Sequence, residues 1–226
     1  MHFLSAIIRI VIIDLVLSGD NAVVIGMAAH RLEPKQRRTA ILFGGAAAIA
    51  LRISLTAIAA LLMQISGLRL VGGLLLIWIG FKLLAQEEES HGGVKVAASM
   101  KDAIITILVA DFIMSLDNVL AVAGASEGHL GLLLFGLILS MAILMFVGNL
   151  VADLINKFWW LAYLGSAVIA WTGASMVLED SILKTRLESL EISALVEHAI
   201  AAVVTILTLS AAHWFHRVRV KEPKES

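Results

Sequence analysis

Apolar residues fill seven long blocks of the chain, near residues 5–28, 39–64, 67–85, 103–125, 130–152, 159–178 and 193–215, with short polar stretches between them. About 20 such residues in a helix span the hydrocarbon core of a bilayer, so each block predicts a transmembrane helix. The pattern predicts an all-α membrane protein of seven transmembrane helices, with the two chain ends on opposite sides. The first block follows directly on Met1-His2-Phe3-Leu4, with no basic segment and no small-residue cleavage site, and so reads as a mature helix rather than a removed signal.

Polar residues inside the blocks recur. The stretch Asp14-Leu15-Val16-Leu17-Ser18-Gly19-Asp20-Asn21-Ala22-Val23 returns as Asp111-Phe112-Ile113-Met114-Ser115-Leu116-Asp117-Asn118-Val119-Leu120, with both acids, the serine and the asparagine in register. Phe43-Gly44 is echoed by Phe135-Gly136, and Gly72, Trp78 and Gly80 by Gly165, Trp171 and Gly173, 93 positions further on. The repeating unit is therefore three helices. An odd unit reverses direction through the membrane, which predicts two inverted three-helix repeats plus a C-terminal seventh helix. The expected boundaries are about 5–85 for repeat 1, a cytoplasmic linker at 86–100, about 101–178 for repeat 2 and about 193–215 for helix 7, all within a single transmembrane domain over 1–226. The linker holds Glu87-Glu88-Glu89-Ser90-His91-Gly92-Gly93, read as a solvated segment, with a regulatory metal contact from Glu87 to His91 as the alternative.

Composition agrees with this frame: 60% of the 226 residues are hydrophobic and the mean hydropathy is +0.94. A formal net charge of -1 indicates no attraction to nucleic acid. The absence of cysteine excludes disulfides, thiolate metal sites and cysteine nucleophiles. The positions of the cations matter more than their sum. Arg31, Lys35, Arg37 and Arg38 follow the first helix, Lys82, Lys95 and Lys101 lie in or beside the linker, Lys157 follows the fifth, and Arg217, Arg219, Lys221 and Lys224 end the chain, whereas the opposite loops hold only Arg69, Lys184 and Arg186. The positive-inside rule then places the N-terminus outside and the C-terminus in the cytoplasm.

Carboxylates in the middle of apolar helices are expensive and mark function. On a continuous helix Asp14, Ser18 and Asn21 share a face while Asp20 points roughly 120° away. Gly19 beside Ser18 is a place where the helix can kink and bring Asp20 to the same cavity. Leu116 takes the place of Gly19 in the second motif and gives less reason for a matching break; without one, Asp111, Ser115 and Asn118 form its shared face. Pooled, the two motifs offer Asp14, Asp20, Asp111 and Asp117, the amides of Asn21 and Asn118, the hydroxyls of Ser18 and Ser115, and the thioether of Met114. Such oxygen-rich donors suit Mn²⁺, Mg²⁺ or Ca²⁺, and a coordinating thioether would favour Mn²⁺. Arg52, near the centre of the second helix, is too deep to reach water and should pair with one of these acids. Its counterpart is Leu144, so the site is asymmetric; Arg52 is either a built-in counter-cation that yields to metal or half of a static ion pair. Asn149 and Asp153 suggest a vestibule at the cytoplasmic end of the fifth helix.

The paired motifs SGDNAVV and SLDNVLAV, in a seven-helix chain with a three-plus-three repeat, resemble the TerC family, named for tellurium resistance and related to the LysE-type exporters. The resemblance covers essentially the whole chain and implies a bacterial inner-membrane protein that exports Mn²⁺, with Asp14, Asp20, Asp111, Asp117, Asn21 and Asn118 as the ligands carried over. It also implies a link to metal supply for secreted proteins. The expected function is therefore a secondary transporter for divalent metal, in exchange for protons or by uniport, with Asp14 and Asp111 as the proton-carrying pair. The alternative is a non-transporting membrane factor that holds metal for the secretion machinery or a secreted metalloprotein. No Ser-His-acid set or HExxH supports an enzyme, and no phosphate-binding loop supports a nucleotide-driven pump. Beyond the ion itself, no prosthetic group is expected.

Overall fold

The computed structural model describes residues 2–62, 65–91, 99–125, 130–189 and 193–221. All regular structure among them is helical: α1 (His2–Leu17), α2 (Gly19–Ala29), α3 (Pro34–Leu62), α4 (Leu68–His91), α5 (Met100–Ala125), α6 (Leu130–Lys157), α7 (Leu161–Leu178), α8 (Ser181–Ser189) and α9 (Ala194–Lys221). A helix lies at each of the seven expected places. Five of them, α3, α4, α6, α7 and α9, are long and apolar enough to cross a membrane, and the bent pair α1–α2 makes a sixth. The acid-bearing α5 does not meet that standard among the described residues. Large apolar side chains on the outside, such as Phe146 at 71% and Leu195 at 81% exposure, fit a lipid solvent and not water.

Three features refine these expectations. The first is the kink that Gly19 beside Ser18 allowed: Ser18 leaves helical dihedrals, with φ -114° and ψ 15°, and the axis turns by 55° between α1 and α2. Gly19 is the first residue of α2, and a Cβ there would meet nothing, so the break lies at the serine rather than at a close approach of the glycine. Second, α4 runs on to His91, so the acidic stretch begins as helix and Glu87 is buried rather than solvated; residues 92–98 lie outside the described ones. Third, the connection between the sixth and seventh expected helices contains α8.

The contacts divide the chain into two compact units, residues 1–65 with 99–157, and residues 66–98 with 158–226. In the first unit α3 packs on α5, and α1 and α2 pack on α6. Small residues set these approaches: Gly26 lies under Val151 and near the Gly148 carbonyl, Gly44 receives Ile107 of α5, and Gly136 receives Ile10 of α1. Pro34 opens α3, where its missing N–H costs no hydrogen bond.

In the second unit α4 and α7 meet at Gly73 and Gly173, each of which lies against the other's carbonyl, and at Gly80, whose carbonyl accepts a 2.9 Å hydrogen bond from Ser166. Asp180, 2% exposed, joins two helix starts. Its Oδ2 accepts from Leu70 N in the first turn of α4 at 3.1 Å, and its Oδ1 from Ile182 N of α8 at 3.0 Å. The chain enters α4 through Gly67 at φ 87°, a backbone region that a side chain would strain. Helix α9 packs on α4 and α7, with the Tyr163 hydroxyl 3.1 Å from His213 Nδ1.

Candidate functional site

Asp14 and Ser18 of the first motif and Asp111 and Ser115 of the second converge on Arg52 inside the first unit. Its guanidinium is almost fully buried and donates through Nη1 to Asp14 Oδ1 at 2.7 Å and through Nη2 to Asp111 Oδ1 at 2.8 Å. Nε donates to Ser115 Oγ at 3.0 Å, and Nη1 also reaches Ser18 Oγ at 3.3 Å. A planar fork of five donors spans two carboxylates in a way an ammonium group cannot. The serines hand the network on, Ser18 Oγ lying 3.4 Å from Asp14 Oδ1 and Ser115 Oγ 3.4 Å from Asp111 Oδ2.

Local structure explains the convergence. On the unbroken α5, Asp111, Ser115 and Asn118 are spaced by four and three residues, and all three are buried. On the other side α1 delivers Asp14 and Ser18, and after the 55° turn α2 delivers Asn21. Asn21 Nδ2 donates to Asp111 Oδ1 at 3.0 Å, and Asn118 Nδ2 donates to the Leu17 carbonyl at 2.9 Å and to Ser18 Oγ at 3.2 Å. The second contact caps a carbonyl that the break takes out of the helical ladder.

Ser140 of α6 completes the site and was not anticipated. Its hydroxyl donates to Asp14 Oδ2 at 2.6 Å. It is the sole hydroxyl in the apolar block 130–152, and that isolation was the available signal. One acceptor is left over: Asn21 Oδ1 is buried with no hydrogen-bond partner. Flipping the amide would set its oxygen against the carboxylate of Asp111, so the network itself fixes the assignment. An orphaned buried acceptor costs roughly 1–3 kcal/mol, which a cation or another donor would recover.

The remaining candidates separate. Asp20, in the first turn of α2, is partly exposed and accepts from the Asn21 amide at 3.1 Å; it is not a partner of Arg52. The break therefore brings Asn21, through its hydrogen bond to Asp111, into the network, while Asp20 is not a partner of the guanidinium. The side chain of Asp117 lies outside the described residues. Met114 is buried on α5. Among the described residues no three His, Asp or Glu side chains come together as a metal cluster. Asn149 lines a separate cavity of about 620 Å³ between α3 and α6, and Asp153 pairs at 2.6 Å with Arg37, which lines the same cavity.

Bent and straight apolar helices around a buried guanidinium–carboxylate network define a multi-pass integral membrane protein with a polar site built into its helix core. Its sequence matches the Integral membrane protein TerC family over residues 1–220, and the chain belongs to that family. It is 42% identical over 181 residues to the uncharacterized membrane protein YjbE of Bacillus subtilis (strain 168), a match covering 80% of this chain and 83% of that one. It is 25% identical over 186 residues to the UPF0053 inner membrane protein YgdQ of Escherichia coli (strain K12), covering 75% and 78%. No solved structure matches it.

Proposed function

We propose that this protein is a secondary transporter that exports a divalent metal ion, Mn²⁺, through a site in which Arg52 is the resident counter-cation. The observation that carries the reading is the bridge from Arg52 to Asp14 and Asp111, beside an Asn21 oxygen that nothing satisfies. Two carboxylates face one guanidinium, so that ionising both would leave an excess negative charge in a low-dielectric setting, and hard oxygen donors surround it. A divalent ion entering here competes with Arg52 for the same carboxylate oxygens. The site then alternates between a tethered cation and a mobile one, as a carrier requires if it is not to remain an open negative cavity. The ligands beyond Asp14, Asp111 and Asn21 are Asp20, Asp117, Asn118, Ser18, Ser115 and Met114, with Ser140 steadying Asp14.

The same reading includes seven crossings and an inverted repeat, with α5 crossing in spite of its acids. Two exchanges of contacts support it. The sequence offsets that align the halves turn Gly44 against Ile107 into Gly136 against Ile10, and Gly73 against Gly173 into Ser166 against Gly80. Both members of each pair are in contact. The distribution of Lys and Arg supports an N-terminus outside and a C-terminus in the cytoplasm.

The test is Mn²⁺ uptake into proteoliposomes that contain this protein alone. Flux saturating with Mn²⁺ and lost in Asp14→Asn/Asp111→Asn is expected. No flux above empty liposomes, together with retained Mn²⁺ binding, would point instead to a membrane factor that holds metal for secreted proteins.

A further inference from the structure

The cavity between α3 and α6 lies apart from the Arg52 site and has a polarity gradient along its length. On α3 its lining is Pro34, Arg37, Arg38, Ile41 and Leu42, spaced as one helix face. On α6 the matching face is Ala142, Met145, Phe146 and Asn149. The helices run antiparallel, so the end formed by Arg37, Arg38 and Asn149 is polar, and the end formed by Leu42, Ala142 and Met145 is apolar. Pro34 and Leu42 lie eight positions apart on α3, about 12 Å along the axis. A volume of about 620 Å³ is within the range that binds small organic ligands.

The cations at the polar end are incompletely used. Arg37 gives one Nη to Asp153, while its Nε is buried without an acceptor. Arg38 is exposed and has no ion-pair partner among the described residues. At the other end Leu42 and Phe146 remain exposed at 54% and 71%. Water suits neither feature: it leaves apolar side chains exposed and supplies no counter-charge.

We propose that this groove binds one anionic phospholipid of the leaflet that faces the α2–α3 connection, its phosphate against Arg37 and Arg38 and an acyl chain along Leu42, Met145 and Phe146. Charge complementarity selects an anionic headgroup over a zwitterionic one, and the apolar half selects a lipid over a free anion. Asp153, by holding Arg37, fixes the height of the phosphate seat.

The experiment is native mass spectrometry of the full chain in detergent with added phosphatidylglycerol, phosphatidylcholine or inorganic phosphate. Phosphatidylglycerol is expected to be retained at least fivefold better than phosphatidylcholine, and Arg38→Gln to cut that preference about fivefold, the effect of about one basic residue near anionic lipid. Ala142→Phe, which narrows the apolar end and leaves the charges in place, is expected to weaken retention without changing the response of the ion site to Mn²⁺. Equal retention of the two lipids, or an Arg38→Gln protein that keeps the full preference, overturns the proposal. So does displacement of the lipid by phosphate at constant ionic strength, which would mark a soluble-anion site. A dimer in delipidated protein that Ala142→Phe dissociates would assign the groove to a second copy of the chain and overturn it equally.

Discussion

Asp14 and Asp111 hold the same place in the duplicated motif but are held differently. Each accepts a hydrogen bond from Arg52, at 2.7 and 2.8 Å, yet the second oxygen of Asp14 takes Ser140 at 2.6 Å, while Asp111 shares one oxygen between Arg52 and Asn21. The cause is in the helices that face them. Arg52 on α3 has Leu144 as its counterpart on α6, and Ser140 on α6 has Ala48 on α3. One half of the repeat supplies the charge and the other a hydroxyl.

Removing the charge should therefore be costly. Arg52→Met leaves two buried carboxylates without their cation, for which about 3–5 kcal/mol of destabilisation is expected, and Arg52→Lys, a point charge in place of a fork, should cost less. Thermal unfolding in detergent measures both. If Arg52 is a counter-cation, added Mn²⁺ should raise the Tm of Arg52→Met more than that of the parent protein, and an equal or smaller rise would favour a static ion pair.

Asn21→Ala separates fold from function. It removes an orphaned acceptor along with one hydrogen bond, so stability should change by no more than about 1 kcal/mol. Mn²⁺ flux should nevertheless fall by at least about tenfold, the scale of one lost ligand. Loss of stability in step with flux would make the residue a packing element only.

In cells lacking the protein, Mn²⁺ should over-accumulate, and neither Asp20→Asn nor Asp117→Asn should restore export. Normal export by one of them removes that residue from the ligand set.

Coupling is tested with a pH dye inside proteoliposomes. If a proton on Asp14 or Asp111 is exchanged for metal, Mn²⁺ flux should move the internal pH and respond to a proton ionophore at clamped membrane potential. Flux without a pH change would leave Arg52 as the compensating charge and make the protein a uniporter.

Asp180→Ala tests the second unit alone. It exposes the starts of α4 and α8 together, and at about 1 kcal/mol for each lost cap, a loss of about 2 kcal/mol in stability is expected with the Arg52 site intact. Unchanged thermal unfolding would show that neither helix start depends on it.

The sequence by itself determined the helical class, the places of the long helices and several of the polar residues that meet around Arg52, because apolar length and periodic spacing are local properties of the chain. Asp111, Ser115 and Asn118 share a face of α5 through helical geometry alone, and a cation as deep as Arg52 needed a carboxylate. Tertiary structure decided which carboxylates those were. A turn of 55° at Ser18 brought Asn21, and not Asp20, to the carboxylate of Asp111 that Arg52 also holds. Ser140 meets Asp14 across 126 positions, a pairing set by the packing of α1 and α2 on α6. The double cap at Asp180 belongs to the same class. Each of these depends on where one helix lies against another, and that relation is fixed by the fit of many side chains at once, with no local signature in the chain.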